Sequence, residues 1–287
     1  MFFSAKYSNP LKLLRLFKMV EDISSEVTFH ITSEGIFIKN MDDLHVSLIS
    51  ISIDCDDFES YNYNNNKEFI DIGINMATFC KVLNACDRVD TVEFKLDSYN
   101  TDNLIIQFDN ENRVSEYSLR LINTEYTDIT VNDIDYKTEI EIDMRRLTKL
   151  FQELDIVDSD TVTFTMNAEL DEGSVCISSE GDSSIIKTNL KHCESSSLIV
   201  SKKLKIKTKE GDDIIKTVAT KIDPEFYVYP FKESFTIEYS RETIKKIIKL
   251  NTITSKTTIG ISPSTPISFL SMLSNNSYVQ YYVAPKV

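Results

Sequence analysis

Apolar and polar residues alternate over short stretches along most of the chain, and four segments break that rhythm with helical spacing. The first runs from about Asn9 to Val20. Leu13, Leu16, Phe17 and Val20 recur at steps of three and four, Ser8 or Asn9 can cap it, and Pro10 falls in its first turn. The second runs from about Asn75 to Val89, with Met76, Phe79, Leu83 and Cys86 turned inward. The third, from about Asp143 to Leu154, carries its stripe on Leu147, Leu150, Phe151 and Leu154. The fourth, from about Ser240 to Asn251, carries it on Ile244, Ile247, Ile248 and Leu250. A β-like segment follows each: EVTFHI from Glu26, TVEFKL from Thr91, TVTFTM from Thr161 and TTIGIS from Thr257. EFIDIGI, TEIEIDM and SFTIEYS precede the last three.

The candidate caps Ser8, Asn75 and Asp143 stand about 67 residues apart, and the gap to Ser240 is about 30 longer, so one pattern recurs four times. The excess falls on SKKLKIKTKEGDDIIKTVATKI, which alternates on both sides of a Glu-Gly-Asp-Asp turn and predicts an inserted hairpin near 202–221. Its Lys202, Lys203, Lys205, Lys207 and Lys209 suit phosphate contact, a localisation signal, or protection of an exposed strand edge. The expected fold is α+β: two similar domains, 1–121 and 137–287, each with two helices on antiparallel sheet. The acidic segment 122–136 connects them.

Composition then removes function classes. With 287 residues and 41% hydrophobic content the chain can build a large core. No apolar run approaches the ~18 residues of a membrane span, and MFFSAKYSNP lacks a signal peptide's apolar stretch. Five cysteines without a C-x-x-C pair suggest a reduced, intracellular protein. His30, His45 and His192 are far apart in sequence, so no zinc spacing occurs. The six glycines are scattered singly, which excludes a phosphate-cradling loop, and there is no G-x-S-x-G elbow. We therefore expect no catalytic residue, metal or cofactor.

The net charge of −14 argues against a polyanion partner until the charges are placed. The four helical spans hold 51 residues and twelve cations: Lys12, Arg15, Lys18, Lys81, Arg88, Arg145, Arg146, Lys149, Arg241, Lys245, Lys246 and Lys249. Against four acids they net +8, leaving −22 on the remaining residues. Arg241, Lys245 and Lys249 follow an i, i+4, i+8 stripe away from the apolar face. Four basic helices suit the backbone of duplex DNA, and the lack of stacking aromatics favours phosphate contact without base reading.

NMDDLHVSLISI (Asn40 to Ile51), RVSEYSLRLI (Arg113 to Ile122) and the ending YYVAPKV (Tyr281 to Val287), with the Met-Phe start before a basic helix, resemble sliding clamps of the proliferating cell nuclear antigen type. The resemblance runs end to end apart from the inserted hairpin. It implies the DNA clamp fold and a homotrimeric ring whose helices line a hole threaded by duplex DNA. It also implies a DNA polymerase as partner, a clamp loader, and no enzymatic activity. Family DNA-facing positions match Arg15, Lys81, Lys149 and Lys249, whereas two others fall on Asn84 and Gln152. The implied partner-peptide pocket, which takes aliphatic and aromatic anchors, is formed by Met41, His45, Val46, Leu48, Ile129, Val131, Pro266, Tyr282, Ala284 and Pro285. The implied trimer interface pairs strand edges carrying Tyr117, Leu119, Ile185 and Ile186. Asn132 departs from a usual proline, the acidic tail of many relatives is missing, and the hairpin is extra. The alternatives are a subunit of a heterotrimeric checkpoint-type clamp and a transcription accessory factor. The resemblance implies the nucleus for a eukaryotic chain and the replication site for a viral one.

Overall fold

The computed structural model describes residues 2–87, 90–97, 100–110, 112–124, 129, 134–168, 174–191, 198–207, 213–222 and 226–286, with backbone alone at 100–101, 191, 198–207 and 213–222. Four helices occur where the apolar stripes place them: α1 Pro10–Glu21, α2 Met76–Leu83, α3 Met144–Leu154 and α4 Arg241–Lys245. A side-chain cap starts each one. Asn9 accepts from the Lys12 amide at 3.1 Å, Asn75 from Thr78 at 3.0 Å, Asp143 from Arg145 at 2.8 Å and Ser240 from Thr243 at 3.4 Å.

Two helices differ from their expected lengths. α2 ends at Leu83 rather than near Val89, and the Asp87 amide bonds the buried Asp90 carboxylate at 2.7 Å in place of a helical carbonyl. α4 continues as a 3₁₀ helix over Lys246–Thr252. The β-branched Thr243, Ile244, Ile247, Ile248 and Thr252 lose χ1 freedom in an α-helix, which weakens its propagation here.

Around α1 lie β1 Phe3–Tyr7, β2 Glu26–Thr32, β3 Gly35–Met41, β4 Ser47–Asp54, β5 Ser60–Tyr63 and β6 Phe69–Asn75. β7 Thr91–Asp97, β8 Asn100–Asn110 and β9 Arg113–Arg120 follow α2. β10 Thr138–Asp143 precedes α3, followed by β11 Thr161–Asn167, β12 Ser174–Glu180 and β13 Ile185–Lys191. Next come β14 Leu198–Lys207, β15 Asp213–Ile222, β16 Phe226–Val228 and β17 Phe235–Ser240. After α4 come β18 Lys256–Ile261, β19 Ile267–Met272 and β20 Tyr278–Val283.

The pairing follows one rule. The strand entering each helix pairs antiparallel with the strand leaving the other helix of its pair: β1 with β7, β6 with β2, β10 with β18 and β17 with β11. The first amide of a helix then reaches the carbonyl just before its partner strand. Met76 donates to Ser25 at 2.9 Å, Met144 to Ser255 at 2.8 Å and Arg241 to Asp160 at 2.9 Å. The sheets run β5-β1-β7-β8-β9, β13-β12-β11-β17 and β16-β10-β18-β19-β20-β4-β3-β2-β6. The last is continuous through the two halves because β20 pairs with β4, Tyr281 opposite Ile49. β14 and β15 pair only with each other, as the alternation predicts; their turn and their side chains lie outside the described residues.

Phe17 of α1, Phe79 of α2 and Phe29 of β2 meet with ring centroids 5.1–5.5 Å apart, and Phe94 of β7 adjoins Phe79 at 5.9 Å. This cluster ties two helices to two sheets, and such aromatic pairs each contribute ~0.5–1.5 kcal/mol beyond their buried area. α1 packs against α2 and against the 3₁₀ helix, which packs against α3. The helices therefore form one row in the order α2, α1, α4 with its 3₁₀ extension, α3.

Candidate functional site

The helix row sorts the cations by what they touch. Arg15, Lys81, Arg145 and Lys149 are exposed and have no ion pair among the described residues. Lys12 is half-buried and donates to the Leu273 carbonyl at 3.0 Å. Lys18 meets Glu21 at 2.7 Å, and that hydrogen bond raises the lysine pKa. Arg146 is half-buried, and Arg88 lies outside the described residues.

The expected continuous stripe on the fourth helix is instead two clusters, because the backbone changes from 3.6 to 3 residues per turn after Lys245. Arg241 and Lys245, on the α-turn, go to the end of α3. The Arg241 guanidinium donates to the carbonyls of Leu154 at 3.0 Å and Val157 at 2.9 Å and lies 3.6 Å from Asp155, which Lys245 also contacts. Lys246 and Lys249, three apart on the 3₁₀ helix, go to the end of α1. Lys246 donates to the Asp22 carbonyl at 3.1 Å, and Lys249 pairs with the Asp22 carboxylate. Asp22 and Asp155 are the residues that close α1 and α3, so cations here also complement two helix C-termini. The sequence count stopped at Val20 and Leu154 and therefore missed Glu21, Asp22 and Asp155.

A second site is a cavity of about 370 Å³ beside the connecting segment. The β3–β4 turn builds one wall. The Asp42 carboxylate accepts the amides of Val46 and Ser47, each at 2.8 Å, and the Asp42 carbonyl accepts that of His45 at 3.0 Å. This pulls His45 into the left-handed region at φ 57°. Met41, His45, Val46 and Ser47 line that wall, and Leu48, 5% exposed, joins the wall while packing inward. Opposite stand Tyr282, paired with Leu48 across the sheet, and Ala284, whose amide donates to the Val46 carbonyl at 2.8 Å. Ile129 and Pro266 complete the enclosure together with Ile134, which sequence reasoning did not select. Pro285 is half-buried outside the lining, and Val131 lies outside the described residues.

Two glycines seat the connecting segment. A Cβ on Gly73 would meet the Ile122 carbonyl at 2.3 Å and Thr124 at 2.5 Å, and Thr124 hydrogen-bonds Thr28 at 2.7 Å. A Cβ on Gly260 would meet the Tyr136 ring at 2.5 Å, and the Tyr136 hydroxyl donates to the Pro266 carbonyl at 3.2 Å. Close approach here requires the missing side chains.

The outer edges of two sheets are β9 and β13. Tyr117 and Ile185 are exposed and Ile186 is half-buried. Leu119 differs from its expected edge role: at 6% exposure it packs in this chain's own core, opposite Leu104 of β8. Val114, 63% exposed, is the apolar side chain β9 presents instead.

Residues 2–129 match the family model described as the proliferating cell nuclear antigen N-terminal domain. "Proliferating cell nuclear antigen 1" of Plasmodium falciparum is 25% identical over 296 aligned residues, covering 99% of this chain and 96% of the relative. "DNA polymerase sliding clamp" of Nitrosopumilus maritimus is 24% identical over 287 residues, covering 100% of this chain and 99% of the relative. The family model thus matches the N-terminal part of the chain, and these relatives are similar to it from end to end. "Proliferating cell nuclear antigen" of Dictyostelium discoideum, 21% identical, likewise aligns over 99% of both chains. In this chain the fourfold sequence repeat corresponds to the exchanged strand pairing. Burial pushes the Cys80 thiol up to about 12, which keeps it protonated.

Proposed function

We propose that this chain is a sliding clamp that encircles duplex DNA, acts as a DNA polymerase processivity factor, and recruits replication and repair partners. The observation that carries the reading is the helix row, where Arg15, Lys81, Arg145 and Lys149 extend cations on exposed faces of an otherwise acidic protein. Loose phosphate contacts hold DNA without fixing a register, which permits sliding. The 370 Å³ cavity is the partner-peptide site, with Ile129, Val46 and Tyr282 as apolar surface and Asp42, Asp43 and Asp135 close by in sequence. Edges β9 and β13 of neighbouring copies pair head to tail, and three such contacts close a ring. Val114, Tyr117, Ile185 and Ile186 supply apolar contact there. The work is topological, needs no cofactor, and requires a loader to open the ring at the site of replication.

Light scattering at several concentrations and two salt levels tests the assembly. A species near three times 32.9 kDa supports the homotrimer, and a persistent monomer favours a heterotrimer subunit or accessory factor. Replacing Arg15, Lys81, Arg145 and Lys149 together by Ala is expected to shorten polymerase products while leaving that mass unchanged. Normal product length would refute the bore assignment.

A further inference from the structure

A larger cavity, about 600 Å³, lies on the nine-stranded sheet and shares no residue with the cavity beside the connecting segment. Strand alternation turns Phe29, Ile31, Ile36 and Ile38 into the core, so His30 and Phe37 face the other way. The registers set one row across five strands: Asp71, His30, Phe37, Ser52 and Tyr278. The His30 ring is fixed in that row. Its Nδ1 lies 2.7 Å from Asp71, and its centroid is 4.7 Å from Phe69 and 6.5 Å from Phe37. The groove therefore has an aromatic floor, and Phe69 remains 45% exposed on it.

The ends of the groove differ in charge. Glu34 sits in the β2–β3 turn, and Glu68 joins it because Phe69 pairs with Thr32. Both carboxylates are exposed and have no ion-pair or hydrogen-bond partner among the described residues. Lys39, opposite Ser50, marks the other end. An aromatic face beside two free carboxylates fits a planar cation. A guanidinium can stack on Phe69 while bridging Glu34 and Glu68, which a compact ammonium does less well.

We propose that this groove is a second docking site, which takes an arginine side chain of a partner polypeptide against Phe69 between Glu34 and Glu68. Lys39 orients the segment by repelling the cation from the far end. This site is independent of the clamp reading, because nothing in it touches the helix row or the connecting segment.

The chain contains no tryptophan, so Phe69→Trp places a single, selectively excitable tryptophan on the groove floor of the intact protein. The probe is the blocked tripeptide acetyl-Gly-Arg-Gly-amide, compared with its neutral citrulline counterpart. We expect a saturable change in emission with the arginine peptide, and about tenfold or more weaker binding of the citrulline peptide, the scale of one lost charge-assisted contact. Glu34→Gln with Glu68→Gln in the same background should remove that difference while thermal melting stays unchanged. Equal responses to the two peptides, no saturation, or a response that survives both Gln substitutions would overturn the proposal. So would preferential binding of an acetyl-Gly-Asp-Gly-amide control, which would assign the groove to anions through Lys39.

Discussion

Arg241 separates an architectural cation from a DNA-facing one. Its guanidinium donates to two carbonyls, one in the last turn of α3 and one just beyond it, at 3.0 and 2.9 Å, from a side chain only 19% exposed. Leu154 and Val157, which supply those carbonyls, are themselves 0% and 2% exposed. Arg241→Met keeps much of the stem but removes the charged donor from all three acceptors, leaving Leu154 with the Val157 amide, Val157 with the Ser159 amide and Asp155 with Lys245. A hydrogen bond to a charged group contributes ~1.5–3 kcal/mol. Because one nitrogen makes both bonds, the acceptors keep other partners and the site is partly wet, the expected loss is about 1–3 kcal/mol in total. Urea unfolding of variant and parent at equal protomer concentration reads this as a lower midpoint at unchanged slope. The salt dependence of DNA association should not change. A stability loss under about 0.5 kcal/mol, with the salt slope falling by ~0.9 as for one lost phosphate contact, would refute the capping role.

Ile129 lines the cavity, so Ile129→Asp should weaken a clamp-interacting peptide by about tenfold or more in calorimetry without lowering stability, since it puts charge on apolar surface. Gly260→Ala drives a methyl into the Tyr136 ring and should cost about 1–3 kcal/mol in urea unfolding. The cost should shrink in a Tyr136→Ala background, and an equal cost in both backgrounds would count against that seat. Burial opposes ionisation of Asp90, but the Asp87 amide, Asn110 and Arg113 hydrogen bonds outweigh it and hold the carboxyl below its ordinary value. Its stabilising contribution is therefore complete above the unfolded pKa of ~3.9 and lost as pH falls through the lower folded value. Asp90→Asn should flatten the acid limb of the stability curve, and an unchanged limb would refute this.

Elements with one-sided burial were legible in the sequence. Leu147, Leu150, Phe151 and Leu154 mark α3 because three-and-four spacing has one structural solution, and Asp143 marks its start by capping chemistry. Strand segments such as Thr161–Asn167 were legible because alternation matches the pleat. The exchange of strands between helices was not legible, because pairing depends on residues far apart in the chain. The 3₁₀ extension was hidden because its apolar positions satisfy an α-helical template as well. Ile134 at the cavity, and Gly73 and Gly260 under the connecting segment, were missed for a related reason. A glycine's role as a seat depends on what lies over it, here Ile122 and Tyr136.

The same blindness applies to charge, and it makes a paired comparison decisive. A sequence cannot distinguish a cation facing solvent from one closing a neighbouring helix. Lys149 is exposed with no ion pair among the described residues, whereas Lys249 meets the Asp22 carboxylate at the end of α1. Lys249→Glu places a carboxylate beside Asp22 and beside the negative end of α1, so repulsion replaces attraction. Both side chains are partly exposed, 41% and 35%, which limits the effect on folding to about 1 kcal/mol. Lys149→Glu has no such partner and should leave folding unchanged. Both reversals should weaken DNA association, but only the loss at Lys249 should carry a stability cost that Asp22→Asn relieves. Equal urea midpoints for the two variants, or no relief by Asp22→Asn, would show that the α1–3₁₀ contact does not depend on this pair.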